Sequence, residues 1–220
     1  MAQTIPSSSQ LIKYWDANAT SKEFRHPIPQ PLIEQYFPAN AKVLDVGCGQ
    51  GRLAKYLSEM NFAVSGTDTS TAMLEQARQN VPDCEFRECR SSKLTYDDNT
   101  FDVAIAVTLL TSVPFDLEQR QIMSEIKRVL KPDGLLFVSD LPLQWSDRYL
   151  ERYQDGQKRY GQYGVFDLED GGVVRHHELG YFMQLMNDFT TLTLETHEVI
   201  TMNGNPAQAV RYVGKVAEGL

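Results

Sequence analysis

The chain has 220 residues and a formal net charge of -8, with 42% hydrophobic and 23% charged residues. That suits one domain with a substantial core and argues against a nucleic-acid partner, since a phosphate backbone calls for clustered Lys and Arg. No apolar run approaches the ~20 residues needed to span a bilayer, and the opening MAQTIPSSSQ lacks the charged and apolar regions of a secretory signal, so a cytoplasmic protein without a membrane partner is expected. Cys48, Cys84 and Cys89 show no metal-ligand spacing; they read as small buried hydrophobes, and no metal is expected.

In chain order, the first strong signal is VLDVGCGQGRLAKYL, Val43 to Leu57. Val43, Leu44 and Val46 supply a short buried strand, and Gly47, Gly49 and Gly51 remove side chains that would hold a ligand off the backbone. Leu53, Leu57 and Met60 then follow at helical spacing. A strand ending in a glycine turn that feeds a helix points free backbone N–H groups at a ligand on the carboxyl edge of a parallel sheet. The fold class is therefore doubly wound α/β.

The charge of this turn bears on the ligand. The dinucleotide fingerprint G-x-G-x-x-G fails because Arg52 stands at its third glycine, and Asp45 would set a carboxylate near a bound pyrophosphate. An acid here suits a cationic cofactor without phosphate. S-adenosylmethionine, with its sulfonium and ammonium groups, meets that description better than NAD.

Phe62 to Thr67 reads as a second strand ending on Asp68. An acid about 20 residues past the turn can accept from both ribose hydroxyls, although Asp68 or Ser70 would also cap the helix marked by Met73, Leu74, Ala77 and Val81. Cys84 to Arg87 looks like an edge strand, followed by a polar loop from Glu88 to Thr100. Phe101 to Val107 is nearly continuous in apolar residues, as expected of a central parallel strand buried on both faces. Its end, Thr108 to Pro114, is expected to wall the cleft. Ile122, Ile126, Val129 and Leu130 mark a helix with one buried stripe, stopped by Lys131-Pro132-Asp133-Gly134 with the glycine expected to take a positive φ. Leu135 to Ser139 is a fifth strand.

Beyond Leu141 a polar, Tyr-rich stretch runs to about Gly164, followed by a Gly-Gly turn and Arg175-His176-His177. This is the expected substrate region. Glu178 to Phe189 reads as a helix, and Leu192 to Met202 and Ala209 to Val216 as two strands joined across Asn203 to Pro206.

Asp45, Gly47, Gly49 and Gly51 resemble the first motif of class I S-adenosylmethionine-dependent methyltransferases, an acid followed by G-x-G-x-G. GTDTSTAMLEQAR is similar to the second motif, and EIKRVLKPDGLLFVSD is similar to the family's R-V-L-K-P-G-G segment with Asp133 in place of one glycine. The resemblance implies a seven-stranded, mostly parallel sheet with an antiparallel last strand. It implies a lid over residues 1–39 and a methyltransferase domain over residues 40–220, with a substrate-region insertion at about 141–180. The activity implied is methyl transfer from S-adenosylmethionine to an oxygen, nitrogen or carbon of a small molecule, leaving S-adenosylhomocysteine. A non-catalytic cofactor-binding sensor or assembly protein and an NAD-dependent oxidoreductase are the alternatives. The motifs of enzymes that methylate nucleic-acid bases, D/N-P-P-Y and a Pro-Cys nucleophile, are absent.

By the same resemblance the cofactor would meet Asp45, Gly47, Cys48, Gly49 and Gly51 in the turn, Asp68 and Thr69 on the ribose side, and Met73 against the adenine. Val107, at the end of the fourth strand, and Tyr14 and Arg25 from the N-terminal segment complete the set, Arg25 as a bidentate partner for the cofactor's carboxylate. Arg90 stands where relatives carry an acid for the adenine amine. It cannot accept a hydrogen bond, which leaves that task to Ser91 and Ser92 or to backbone groups. Aligning donor and acceptor can supply about 7–11 kcal/mol, against about 3–5 kcal/mol from a general base, so no base need be visible. His26, His176 and His177 are candidate bases, each read more readily as a hydrogen-bonded structural or surface side chain; His197 reads as structural. Neither the acceptor nor the oligomeric state is legible.

Overall fold

The structure, a computed structural model, describes residues 3–22 and 25–217. It opens with helices α1 (Ser8–Ala17) and α2 (Gln30–Tyr36). Strand and helix then alternate through β1 (Lys42–Val46), α3 (Arg52–Glu59), β2 (Ala63–Asp68), α4 (Thr71–Asn80), β3 (Glu85–Glu88), β4 (Phe101–Val107), α5 (Asp116–Val129) and β5 (Leu130–Asp140). Helix α6 (Asp147–Tyr160) and a small hairpin of β6 (Val165–Asp167) and β7 (Val173–Arg175) follow. The chain closes with α7 (Leu179–Leu185), β8 (Phe189–Ile200) and β9 (Pro206–Val216).

The main sheet has seven strands in the order β3-β2-β1-β4-β5-β9-β8. Strands β1 to β5 run parallel, and β9, the last in the chain, pairs antiparallel with both β5 and β8. Because side chains alternate across a strand and helices cover both faces, the central strands are apolar on both faces, with the buried polar exceptions Asp45, Ser139 and Asp140 toward their carboxyl ends. Leu44, Ala104 and Leu136 pack with Ile122, Ile126 and Phe182 on one face. Val43, Ile105 and Phe137 pack with Leu53, Leu57 and Leu74 on the other. The strand order reverses between β1 and β4, and at such a switch point the crevice beyond the carboxyl ends of the strands takes the ligand.

Several expectations change in three dimensions. The positive φ of the Lys131–Gly134 turn falls on Asp133 (φ 65°) and not on Gly134, whose Cβ, were there one, would lie 2.8 Å from the Lys131 carbonyl. The glycine is there for close approach. Leu130 belongs to β5, where it pairs with Phe101 before a register shift. The helix expected over 178–189 closes early, at Leu185, because Phe189 is drawn into β8 opposite Val216. The Tyr-rich stretch is the helix α6, buried through Tyr149, Tyr153 and Gly156, residue types that weigh little in an apolar count. Cys48 is buried, whereas Cys84 and Cys89 are only half-buried.

The described residues among the first 39 divide by packing. Ile28, Ile33 and Phe37 join the domain core, while α1 and residues 18–22 lie across the carboxyl edge of the sheet. Asp16 accepts from the Ser70 hydroxyl at 2.7 Å at the start of α4, and the Ser8 hydroxyl donates to Glu118 at 3.0 Å on α5. Leu11 packs with Val165 and Val173 of the small hairpin. No helix among the described residues is long and apolar enough to cross a membrane.

Candidate functional site

The segment between β1 and α3 is shaped by its glycines. Gly47, Gly49 and Gly51 all have positive φ, between 53° and 78°, which L side chains rarely adopt. At Gly47 a Cβ would also lie 2.9 Å from Leu109. The Gly47 and Cys48 amides donate to the Thr67 carbonyl at 2.8 and 2.9 Å. The Gly49 amide donates to Asp68 Oδ2 at 2.9 Å, and Asp68 Oδ1 accepts from the Ser70 amide at 2.9 Å. Asp68 thus clamps the turn to the start of α4, and its remaining lone pairs are available for ribose hydroxyls. The Ser70 hydroxyl caps α4 by accepting from the Met73 amide at 3.1 Å.

Asp45 is almost fully buried, and its Oδ2 has no hydrogen-bond partner. Burial pushes its carboxyl up to about 7, Arg52 opposes the shift and Asp68 adds to it. Burial also raises Asp68. A buried carboxyl with an open oxygen, beside the half-buried carboxyl of Asp68, forms a site that a cation would stabilise. Arg52 is committed elsewhere: its Nη2 donates to the His26 carbonyl at 2.5 Å.

These groups line a cavity of about 660 Å³, within the range of small-molecule and cofactor sites. Asp45, Gly47, Cys48, Gly49, Gly51, Asp68, Thr69, Met73, Ser91, Val107 and Arg25 all line it. Arg90 borders it too, beside the buried Ser91. Two residues expected there stand elsewhere. Ser92 does not line the cavity, and Tyr14 turns toward the insertion, where its hydroxyl donates to Asp170 at 2.8 Å. Trp15 takes the place expected of Tyr14; on a helix, adjacent residues point about 100° apart, and only docking against α4 and α5 settles which one faces the cavity.

A second, smaller chamber of about 50 Å³ adjoins this cavity, sharing Arg25, Thr108 and Ser112 with it. His26 and His176 both line it. Burial lowers His26 to about 4, with further lowering from His197, Arg52 and Arg211. Burial, then Arg152, lowers His176 to about 3, so both imidazoles are neutral at pH 7. His177 does not line the chamber: its Nε2 meets the Gln119 amide nitrogen at 2.7 Å, and the ring borders an outer groove with Trp145. Burial lowers it to about 3 as well.

Thr108, expected with the rest of 108–114 to wall the cleft, does line it, but its backbone conformation carries no sequence signal. It sits at the wall between cavity and chamber with φ 55°, an uncommon conformation for a β-branched residue. Strain of this kind, of order 1–3 kcal/mol, clusters at functional sites. The Thr108 amide donates to the Ser139 carbonyl at 2.7 Å, and Asp140, next in β5, accepts from the Leu110 amide and the Thr111 hydroxyl. No local pattern announces this, because β5 supplies the restraint from 30 residues away.

Residues 44–138 match a family model described as a methyltransferase domain. A ubiquinone biosynthesis O-methyltransferase from Haemophilus ducreyi is 30% identical over 143 residues, covering 58% of this chain and 58% of that protein. The chain thus spans less than two thirds of the length of that curated relative. A crystal structure described as a SAM-dependent methyltransferase from Methanosarcina mazei superposes with a TM-score of 0.83 at 24% identity, covering 88% of this chain and all of that one. The [4+2]-cyclase SpnF superposes with a TM-score of 0.70 at 15% identity over the whole of both chains. At these identities the structural likenesses establish the fold alone.

Proposed function

We propose that this chain, which carries a class I S-adenosylmethionine-dependent methyltransferase domain, transfers a methyl group from S-adenosylmethionine to a small-molecule acceptor. The observation that carries the reading is the buried, unpartnered Oδ2 of Asp45 in a cavity framed by the glycine turn and Asp68. An open carboxylate oxygen suits a cationic cofactor and repels a pyrophosphate, which sets NAD aside.

The residues present fit the group. The Gly47–Gly51 turn allows close approach, Asp45 supplies charge, and Asp68 supplies ribose acceptors. Met73 and Ser91 border the nucleoside end, and Trp15 covers the cavity from α1. When bound, S-adenosylmethionine supplies an electrophilic methyl group on a cationic sulfur. The protein's part is orientation and exclusion of water: α1 lies across the opening, and Thr108 and Ser112 stand at the boundary with the inner chamber. Held in near-attack geometry, donor and acceptor gain about 7–11 kcal/mol. Helix α1 and residues 18–22 act as the cover and residues 141–180 as the acceptor side.

Calorimetry with S-adenosylmethionine and with NAD tests the cofactor, with micromolar binding of the first and none of the second expected. NAD binding alone would overturn the assignment. Incubation with methyl-labelled cofactor and metabolite extracts then tests turnover: labelled product is expected, and cofactor binding without product across varied extracts would favour a sensor.

A further inference from the structure

The inner chamber has a composition unlike the rest of the chain. The protein carries a net charge of -8, yet among the described residues no Asp or Glu lines this chamber, whereas Arg25 and Arg152 both do. Arg152 stacks over the Phe166 ring, 5.5 Å from its centroid. Its Nη2 meets Glu169 at 3.1 Å, a carboxylate that lies outside the chamber, is 81% exposed and is shared with Arg148. An exposed pair of that kind is weak and leaves the guanidinium's other donors for the chamber.

The histidines extend the same character. His26 is nine-tenths buried and more, and its Nδ1 faces no partner. The cations Arg52 and Arg211 contribute to its lowered pKa, so the field at this imidazole is positive. His176 is held by Tyr153, whose hydroxyl oxygen lies 2.7 Å from Nδ1 and itself accepts from the Gln144 amide at 3.0 Å. Assigned so that the tyrosine proton goes to Nδ1, the imidazole carries its own hydrogen on Nε2 as a donor.

We propose that this chamber is the acceptor site and that it takes a carboxylate, so that the acceptor is a small organic acid held by the Arg152 guanidinium and the His26 and His176 imidazoles. Size agrees: at roughly 10–15 Å³ per water-sized occupant, a chamber of about 50 Å³ holds a carboxylate head and a short stem. The rest of the lining is uncharged and mixed, with Leu168, Val174 and Met202 beside Phe166, and Thr201 and Asn203 on the polar side. The proposal rests on the methyl-transfer reading only for the word acceptor; the anion site stands on its own geometry.

The test uses propionate and its neutral counterpart propionamide, followed by the imidazole resonances of the protein at pH 7, where four histidines give a resolvable spectrum. Propionate is expected to shift His26 and His176 and to leave His177 in place. Propionamide should bind about tenfold more weakly or worse, the factor a charge-assisted hydrogen bond supplies. Arg152→Gln should weaken propionate by about as much, Arg152→Lys should recover part of it, and Arg148→Gln should leave it unchanged; melting curves establish that each variant is folded. Equal binding of propionamide, indifference to Arg152→Gln, or displacement by inorganic phosphate at lower concentration would overturn the carboxylate site. Calorimetry with S-adenosylmethionine on the same samples separates the two readings. Cofactor binding without a propionate response removes the acid site alone, and a propionate response without cofactor binding removes the donor assignment alone.

Discussion

The Arg52 guanidinium donates to the His26 carbonyl at 2.5 Å, tying the first residue of α3, directly after the glycine turn, to a residue that lines the inner chamber. The same turn holds the segment after α1 at a second point, where the Gln50 side-chain Nε2 donates to the Ala19 carbonyl. The glycine turn and the inner chamber are thereby set relative to one another by the two side chains that flank the third glycine, Gln50 and Arg52. Hydrogen bonds to charged groups contribute about 1.5–3 kcal/mol, so Arg52→Ala should raise amide exchange around residues 19–28 about tenfold or more. Hydrogen exchange by mass spectrometry measures this, and unchanged protection would mean that packing alone holds the segment.

Asp45 sets a pH dependence. Its carboxyl is pushed up to about 7 by burial, and a bound cation favours the charged form, so cofactor binding must release a proton at pH values below 7. Affinity is therefore full above pH 7 and declines as the pH falls through that value, by at most about tenfold per unit. Asp45→Asn, which removes charge at nearly constant volume, should bind about tenfold more weakly at pH 8 and give a flat profile between pH 6 and 8. Calorimetry over that range is the check, and a flat profile for the native chain would rule out the electrostatic role.

Gly156 lies on α6 where a Cβ would come within 1.7 Å of the Val165 carbonyl oxygen. Helix and hairpin cannot both keep their places with a methyl group between them. Gly156→Ala should cost about 3 kcal/mol or more, read as a lower denaturant midpoint, while S-adenosylmethionine binding at the distant glycine turn persists. Native stability in this variant would show that α6 and β6 can move apart freely.

Thr108 offers the opposite sign. Relieving a left-handed, β-branched residue with Thr108→Gly should raise unfolding free energy by about 1 kcal/mol while loosening the wall between cavity and chamber, so that methyl transfer slows as the protein becomes harder to unfold. Denaturant titration and turnover on the same preparation test the pair of effects, and a loss of both stability and turnover would place the role of Thr108 in its hydroxyl, which donates to the Val107 carbonyl at 2.7 Å.

The sequence alone determined what is encoded within a few residues of itself. The apolar runs of β1 and β4, the acid-and-glycine turn from Asp45 to Gly51, and Asp68 at the end of β2 carried the fold class and one end of the cavity proposed for the cofactor, because strand period and turn chemistry are local properties. Tertiary structure decided whatever depends on segments meeting from far apart. Trp15 rather than Tyr14 faces the cavity because α1 docks on both α4 and α5. Of the candidate histidines, His26 and His176 come to share one chamber across 150 positions of chain, while the adjacent His177 is turned to Gln119. The positive φ of Thr108 is imposed by β5, and that of the 131–134 turn falls on Asp133 because Gly134 is pressed against the Lys131 carbonyl. Such placements follow from the packing of whole elements, which no window of neighbouring residues contains.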